Sequence, residues 1–221
     1  MWDNFTPAML ELFATSLWET LVMVGISGIA GSLVGIPVGV LLRLTDRGGV
    51  LQNGGVNRVV GGIVNALRST PFIILLVAII PLTRLITGSS IGTAAAVVPL
   101  TLAAAPFIAR LVEASLREVD HGLVEAAQAM GATTAQIVFK VLLPEALPGI
   151  VGGFTITLVS LTGYSAMAGA IGGGGLGDLG IRYGYQRFLP EIMLAVVVVL
   201  VLFVQAVQSL GDWAVRRLSH K

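Results

Sequence analysis

Long apolar runs separated by short polar stretches dominate this chain. Four of the runs carry no charge and are long enough to cross a hydrocarbon core of about 30 Å. They are Thr20–Leu42, Leu85–Ala109, Ala146–Ile171 and Ile192–Gly211. A fifth run, roughly Val59–Thr83, contains Arg68, but the part after Arg68 is apolar and the arginine can extend to the nearer membrane surface. The pattern predicts an all-α membrane protein with five transmembrane helices.

Basic residues are divided unequally between the two ends of these runs. If five helices alternate in direction, most of the basic residues share one face: Arg43, Arg47, Arg58, Arg110, Arg117, Lys140, Arg216, Arg217 and Lys221. The opposite face has Arg84, Arg182 and Arg187. Because loops on the cytoplasmic side carry an excess of Lys and Arg, we expect the N-terminus outside and the C-terminus in the cytoplasm.

The composition agrees with a membrane protein. Apolar residues make up 55% of the 221 residues, charged residues make up 11%, and the mean hydropathy is +0.92. This length leaves room for several spans and one loop domain, but not for a separate soluble catalytic domain. The absence of cysteine excludes disulfides and thiolate metal sites, and a net charge of +1 gives no indication of nucleic-acid binding. The function must therefore lie within or between the helices.

Small and helix-breaking residues recur inside the runs. Gly31, Gly35 and Gly39 follow one another at four-residue spacing, as do Gly149 and Gly153, which predicts close approach of helix backbones. Prolines lie in or at the ends of the runs, where each removes a backbone donor: Pro37, Pro71, Pro99, Pro106 and Pro148. These residues suit either tight, kinked packing of a bundle or helices that rock around a pathway.

The segment from about Arg110 to Glu145 is too polar to lie in lipid. Its apolar positions recur at helical spacing: Leu123, Ala126, Ala127 and Met130. Gly131 suits a left-handed helix cap, Thr133 or Thr134 can begin a second helix, and Pro144 is expected to end it. Such a pair of short helices would either dock into a partner protein or lie on the bilayer surface.

Several residues of this segment match a known motif. Glu125-Ala126-Ala127, then Gly131, Ile137 and Leu143-Pro144, resemble the EAA loop of permease subunits of type I ABC importers. In that family the loop forms a coupling helix that sits in a cleft of a cytoplasmic ATPase. The resemblance implies that Glu125, Ala126, Ala127, Met130 and Gly131 couple this chain to such an ATPase.

Two further stretches narrow the resemblance. The run Arg68-Ser69-Thr70-Pro71-Phe72 is similar to amino-acid permeases. The glycine-rich stretch from Tyr164 to Asp178, with Arg182 to Phe188 after it, resembles permeases of methionine importers. The resemblance implies a multi-pass protein of the bacterial inner membrane that forms a homodimer, together with two ATPase copies and a periplasmic or lipid-anchored methionine-binding protein.

The resemblance covers roughly Leu17–Ser209. We therefore expect a periplasmic segment at 1–16, a transmembrane domain at 17–209 with its coupling loop at about 118–144, and a basic cytoplasmic tail at 210–221. The sequence contains neither Gly-Lys-Ser nor Gly-Lys-Thr, so it has no P-loop, and ATP and Mg would be bound by the partner ATPase. We expect this chain to bind no cofactor itself and to be no enzyme.

The run Ala146–Ile171 supplies candidates for the translocation pathway. Tyr164, Ser165 and Met167 interrupt an apolar stretch, and a flexible methionine can fill a gap and then vacate it, although core packing is the commoner role of methionine. Arg68 is a further candidate because polar groups inside membranes are often functional, with a snorkelling role as the alternative.

The glycine-rich turn that follows is expected at the outer mouth. Gly174, Gly175, Asp178 and Arg182 are the candidates there, either as part of a gate and a contact for the binding protein or as a mobile re-entrant loop. The spacing of Gly172, Gly174 and Gly177 also fits the dinucleotide-binding pattern GxGxxG, but the turn follows a membrane helix rather than a strand, so we reject that interpretation.

Other classes of function fit less well. A gradient-driven secondary transporter of amino acids needs a buried carboxylate, and the predicted spans contain none. An intramembrane protease needs a base beside Ser165, whereas His121 and His220 lie outside the predicted spans. Because no histidine lies within the spans, we also expect no histidine-based metal site there. An ABC importer for another small amino acid remains an alternative cargo for the same machine.

Overall fold

The computed structural model describes residues 6–219, so Asp3, His220 and Lys221 lie outside the described part. The ten α-helices of the described residues are α1 Pro7–Thr45, α2 Gly54–Ser69, α3 Phe72–Ala78, α4 Ile80–Thr87, α5 Thr93–Arg117, α6 His121–Ala129, α7 Thr134–Ile137, α8 Leu143–Ala168, α9 Gly175–Leu179 and α10 Pro190–Leu218. Three π-helical turns, Val138–Leu142, Gly169–Gly173 and Gly180–Tyr185, join or extend them. The predicted all-helical class is confirmed.

The predicted glycine contacts form the centre of the bundle, where α1 packs along α5 and α8. A Cβ on Gly35 would lie 2.7 Å from the carbonyl oxygen of Ala105, and one on Gly39 would lie 2.5 Å from that of Ala109. Gly153 stands equally close to α5, with the Leu111 side chain 3.0 Å from its Cβ position. Close backbone approach is therefore confirmed, because a larger side chain at these positions would push the helices apart.

The predicted run Val59–Thr83 is bent rather than straight. The helix axes of α2 and α3 differ by 102° across the break at Thr70–Pro71. Proline lacks the N–H that would continue the helix and restricts the residue before it to extended angles, and Thr70 has a ψ of 122°. Within residues 6–219, four helices are long and apolar enough to cross a membrane, and the number of candidate spans rises to five if this bent pair counts as one span.

Both predicted boundaries of the run Leu85–Ala109 are wrong. Leu85 lies in α4, which ends at Gly88 with a φ of +76°, and α5 begins only at Thr93 after Gly92, whose φ is +93°. At its other end α5 continues to Arg117, so Arg110 is part of a long helix and not the start of a polar loop. Two glycines with positive φ, Gly88 and Gly92, set the boundary between α4 and α5. At the other end, ion pairs hold the charged residues in the last turns of α5.

Pro144 does not end the helix that begins at Thr134, which corrects another expectation. The helical chain continues from Thr134 to Ala170, and the π-helical turn Val138–Leu142 ends two residues before the proline. A proline inside a helix lacks one donor and crowds the carbonyl four residues earlier, and the wider π turn relieves that crowding. Helices α7 and α8 are therefore one mechanically continuous element.

Candidate functional site

Helix α6 ends in a glycine elbow with complete hydrogen bonding. Gly131 has a φ of +76° and donates its N–H to Gln128 O at 2.9 Å, while Ala132 donates to Ala127 O at 3.0 Å. These two bonds form a Schellman motif, which satisfies carbonyls that a helix end leaves open. The predicted left-handed cap is confirmed.

The helix after the elbow begins immediately with a capping box. Thr133 Oγ1 accepts the N–H of Gln136 at 3.3 Å, and Gln136 Oε1 accepts the N–H of Thr133 at 2.8 Å. Of the two threonines proposed to begin this helix, Thr133 takes the role. The four residues between α6 and α7 thus hold the two helices at a fixed angle, and local sequence sets that angle.

The surface of α6 is divided between exposed and buried faces. Glu125, Ala126 and Met130 are exposed, with Met130 at 81% of its maximum, and Gly131 is exposed beside them. Ala127 differs from its expected place, because it is only 5% exposed and packs in the main apolar cluster together with Val124. A partner can therefore meet Ala126 directly, whereas Ala127 seats α6 on its own protein.

Glu125 also has a partner on its own helix. His121 Nδ1 lies 3.1 Å from Glu125 Oε1, one helical turn away, and both side chains are exposed. An open cleft of about 830 Å³ lies next to the start of α6 and is lined in part by Glu118, Asp120 and Glu145. The coupling segment therefore presents an acidic and accessible surface.

A buried ion cluster lies just before this segment. Glu113 is 3% exposed, and its two oxygens accept from Arg110 Nη1 and Arg117 Nη2, each at 2.6 Å. The sequence interpretation placed Glu113 in a polar loop and counted no buried carboxylate in the spans, which is wrong. Both oxygens of this carboxylate are therefore engaged by arginines within the bundle.

The same arginines connect three helices. Arg117 Nη2 also lies 2.9 Å from Asp46 Oδ2 after α1, and Arg110 Nη2 donates to Gly61 O and Asn65 Oδ1 of α2, each at 2.9 Å. Arg43 donates from Nε to Leu116 O at 3.3 Å. The last turns of α1 and α5 and the interior of α2 are therefore joined close to α6. We call the charged group Arg43, Asp46, Arg110, Glu113 and Arg117 the ion cluster.

The predicted pathway residues do not share one surface. The Tyr164 ring stacks on Phe72 of α3, with centroids 4.7 Å apart. Ser165 is buried and donates to Thr162 O at 2.8 Å within its own helix, whereas Met167, two residues on, points to an exposed face. Arg68 is exposed and lies over the Phe107 ring at 5.6 Å. Of the four predicted pathway residues, Met167 and Arg68 are exposed, Tyr164 is half-buried and Ser165 is buried.

The glycine turn, residues 172–175, is held by main-chain and side-chain contacts. Gly172, Gly174 and Gly175 have positive φ values, which only glycine adopts readily. Glu19 Oε2 accepts the N–H of Gly175 at 2.6 Å, and Thr20 Oγ1 accepts that of Leu176 at 2.9 Å. The turn is therefore an ordered part of the fold that packs against α1.

Asp178 and Arg182 form an ion pair one helical turn apart along α9 and the following π turn. They follow the glycine turn directly along the chain, and the role of Gly174, Gly175, Asp178 and Arg182 at an outer mouth stays a prediction. Among residues 6–219, no group of three His, Cys, Asp or Glu side chains is arranged to hold a metal ion.

Comparison with known proteins identifies the family. A family model for the inner membrane component of binding-protein-dependent transport systems matches residues 35–221. The chain belongs to this family. As a binding-protein-dependent transport component it is a membrane transport subunit, which removes the secondary transporter and the intramembrane protease as alternatives.

Relatives of this transport component extend over nearly its whole length. A protein of Vibrio cholerae serotype O1, named a probable D-methionine transport system permease protein, is 57% identical over 96% of this chain and 94% of its own. A protein of the same name from Pasteurella multocida is 47% identical over 98% of this chain and all of its own.

A chain from a solved structure gives the same result in three dimensions. It is described as an inward facing conformation of the MetNI methionine ABC transporter, and it superposes with a TM-score of 0.96 at 53% identity, over 98% of this chain and all of that chain. The all-helical architecture of this transport component therefore has a close experimental counterpart.

Sequence reasoning missed three residues of this transport component: Glu19 and Thr20, which make long-range contacts, and Glu113, which pairs with two arginines on its own helix. Glu19 and Thr20 stand at the start of the first apolar run, and a carboxylate there with a neighbouring hydroxyl was the available signal. Glu113 has arginines three residues before and four residues after it, a spacing that places all three on one helix face. That spacing could have indicated an ion pair, but not its burial.

Proposed function

We propose that this chain is the transmembrane permease subunit of an ATP-driven methionine importer and forms the translocation pathway as a homodimer. The observation that carries the proposal is the agreement of sequence and structure over almost the full length, 53% identity at a TM-score of 0.96 with a methionine ABC transporter chain. The relatives named for D-methionine transport support the same cargo.

The proposed topology has five spans, with the N-terminus outside and the C-terminus in the cytoplasm. The bent pair α2 and α3 supplies the fifth span beside the four long helices. The uneven distribution of Arg and Lys supports this orientation. Residues 1–16, 17–209 and 210–221 then form the periplasmic segment, the transmembrane domain and the cytoplasmic tail.

In this proposal α6 docks on the partner ATPase, with two copies of each subunit in the complex. Exposed Glu125, Ala126, Met130 and Gly131 are the contact surface, and Ala127 supports them from beneath. ATP and Mg belong to the ATPase. Because the helical chain runs unbroken from Thr134 to Ala170, movement that passes from α6 through the elbow to α7 would be carried along α8 toward the glycine turn.

The pathway residues take different roles in the proposed cycle. Met167 is the gate candidate because its side chain is accessible on α8. Tyr164 and Ser165 support α8 from the inside through Phe72 and Thr162, and Arg68 lies near the inner boundary. Gly174, Gly175, Asp178 and Arg182 form the outer mouth, where a periplasmic or lipid-anchored methionine-binding protein would deliver substrate.

Uptake by vesicles that hold the complete complex tests this function. The assay supplies binding protein with labelled L-methionine outside and includes or omits ATP inside. ATP-dependent accumulation that unlabelled methionine abolishes is the expected result, and competition by D-methionine and by other small amino acids measures the cargo range. Accumulation without ATP would contradict the proposal, and ATP hydrolysis stimulated by the binding protein without methionine uptake would assign the machine another amino acid.

A further inference from the structure

The glycine turn is bound by side chains from the far end of the sequence. The contacts of Glu19 with Gly175 and of Thr20 with Leu176 join residues 156 positions apart. Gly175 and Leu176 are the first two residues of α9, whose N–H groups have no partner within their own helix. Helix α1 therefore supplies the hydrogen-bond acceptors that cap α9.

The polarity of the Thr20 contact is fixed. Thr20 Oγ1 donates its own proton to Ser16 O at 3.0 Å, so its oxygen is available to accept the N–H of Leu176. Thr20 is 1% exposed, which keeps water from replacing it. The Glu19 bond is charge-assisted, and such bonds are among the stronger ones in proteins.

The backbone of the turn is shaped to these two side chains. A Cβ on Gly174 would lie 2.7 Å from Glu19 Oε2, and a Cβ on Gly175 would lie 2.8 Å from Thr20 Oγ1. Both glycines also have φ values near +80°, at +79° and +78°. Any larger residue would therefore meet both a conformational and a steric cost at this contact.

A second bond holds the other side of the turn. Gly92, directly before α5, donates its N–H to Gly172 O at 2.7 Å. The turn thus lies between α1 and the start of α5. Separation of the turn from α1 must break the Glu19 and Thr20 bonds.

We propose that Glu19 and Thr20 form a latch that holds the glycine turn while the outer mouth is closed and that releases it when substrate enters. They are positioning residues for transport, and the inference rests on the function proposed above. The fold matches an inward facing transporter conformation, in which the outer side is the closed side. Contacts present in only one state bias the equilibrium toward that state by their own free energy.

The test measures ATP hydrolysis by the complete complex in vesicles, with and without methionine-loaded binding protein. In the proposed cycle the ATPases close as the outer mouth opens, so weakening the latch raises hydrolysis in the absence of binding protein. Glu19→Ala should raise this basal rate roughly tenfold, the shift that follows from losing one hydrogen bond to a charged group. Thr20→Val, which keeps the side-chain shape, should raise it about fivefold.

Matched variants separate the latch from general damage. Glu11→Ala and Thr15→Val change exposed residues of the same helix and should leave the basal rate unchanged. Glu19→Gln keeps an acceptor oxygen and should give a basal rate between those of the parent chain and Glu19→Ala. If Glu19→Ala fails to assemble, Glu19→Gln and Thr20→Val decide the question.

The ratio of stimulated to basal hydrolysis distinguishes the outcomes. A raised basal rate with a lowered ratio supports the latch. An unchanged basal rate would overturn the latch, because α1 and α9 would then move as one body throughout the cycle. A proportional fall of both rates would also overturn it, because the contact would then serve only to stabilise the fold. Failure of the parent complex to respond to methionine-loaded binding protein would instead contradict the proposed function.

Discussion

The two ends of α1 are fixed by different chemistry. At the end proposed to be cytoplasmic, Arg43 and Asp46 join an ion cluster that is centred on buried Glu113 and ties α2 and α5 to α1. At the other end, Glu19 and Thr20 make two hydrogen bonds to the backbone of the glycine turn. The proposed cytoplasmic end is held by several ion pairs that share the same charged side chains. The glycine turn is held to α1 by two hydrogen bonds, which can break together.

This difference suggests how movement is distributed. Glu113 pairs with two arginines that also bond α2 and Asp46, and its removal would leave Arg110 without its carboxylate, so the cluster resists separation of its helices. The glycine turn carries no bulky side chain and exchanges only backbone bonds when it leaves α1. The end beside the docking helix is therefore suited to move as a body, and the outer end is suited to open.

Glycine shows the same contrast. Gly35 and Gly39 are helical residues that allow α1 to approach the backbone of α5. Gly174 and Gly175 instead adopt positive φ values and form the turn itself. A substitution in α1 therefore acts by forcing helices apart, whereas a substitution in the turn also acts through backbone strain.

The largest expected effect is that of Glu113→Ala. It leaves Arg110 and Arg117 without their shared carboxylate, and breaking a buried ion pair costs about 3 kcal/mol, the low end of the usual range, because Arg117 is half exposed. We expect a large fall in the apparent melting temperature of the purified complex. Glu118→Ala, at the exposed end of the same helix, is the control, and equal melting temperatures for the two variants would contradict the role of the cluster.

Gly39→Ala should follow in size. The added methyl group meets Ala109 O at 2.5 Å and Val112 Cβ at 2.7 Å, and overpacking of this kind costs about 2 kcal/mol. Thermal unfolding of the complex again measures the effect. Gly25→Ala lies on the same helix with no atom within 4 Å of the added carbon, so it should leave stability unchanged or slightly raised.

Gly131→Val tests the elbow of the docking helix. A valine at a φ of +76° is strained by about 1–2 kcal/mol, which would open the Schellman motif and reorient α6. We expect ATP-dependent uptake to fall about tenfold while the chain still inserts in the membrane, measured by uptake per mole of complex and by ATPase retained on purification.

Two controls accompany the elbow variant. Gly131→Asn should retain most activity because asparagine tolerates the left-handed conformation. Gly48→Val introduces the same strain at a φ of +75° outside the docking segment and should affect uptake less. Undiminished ATP-coupled uptake by Gly131→Val with a tightly bound ATPase would count against docking through α6.

The elbow could be predicted from sequence because its signals are local. The helical spacing of the apolar positions from Leu123 to Met130, the glycine at 131 and the threonine at 133 all act within about ten residues. The helix, the left-handed cap and the start of the second helix formed as expected, although Ala127 rather than the other predicted positions is buried. The close approach of α1 to other helices was also predictable, since small residues recurred every four positions.

The contacts of the ion cluster and the latch could not be predicted in this way. Arg110 meets α2 through Gly61 and Asn65, residues 49 and 45 positions away, and Glu19 meets Gly175 156 positions away. Apolar runs do not encode such pairings. They also hid the break before Phe72, because Pro71 ended a helix inside a run that read as continuous.

The smallest expected effect is that of Arg182→Ala at the outer mouth. Asp178–Arg182 has the same i,i+4 spacing as Glu113–Arg117, but Asp178 has one arginine partner rather than two and is more accessible. We expect a loss of about 0.5 kcal/mol, typical of a pair at a surface. A double-mutant cycle with Asp178→Asn, read from melting temperatures of the complex, isolates the pair from its surroundings. The ratio of stimulated to basal ATP hydrolysis should stay unchanged, because Arg182 does not touch the latch; a coupling as large as that of the ion cluster would show that the outer end is not the weaker of the two.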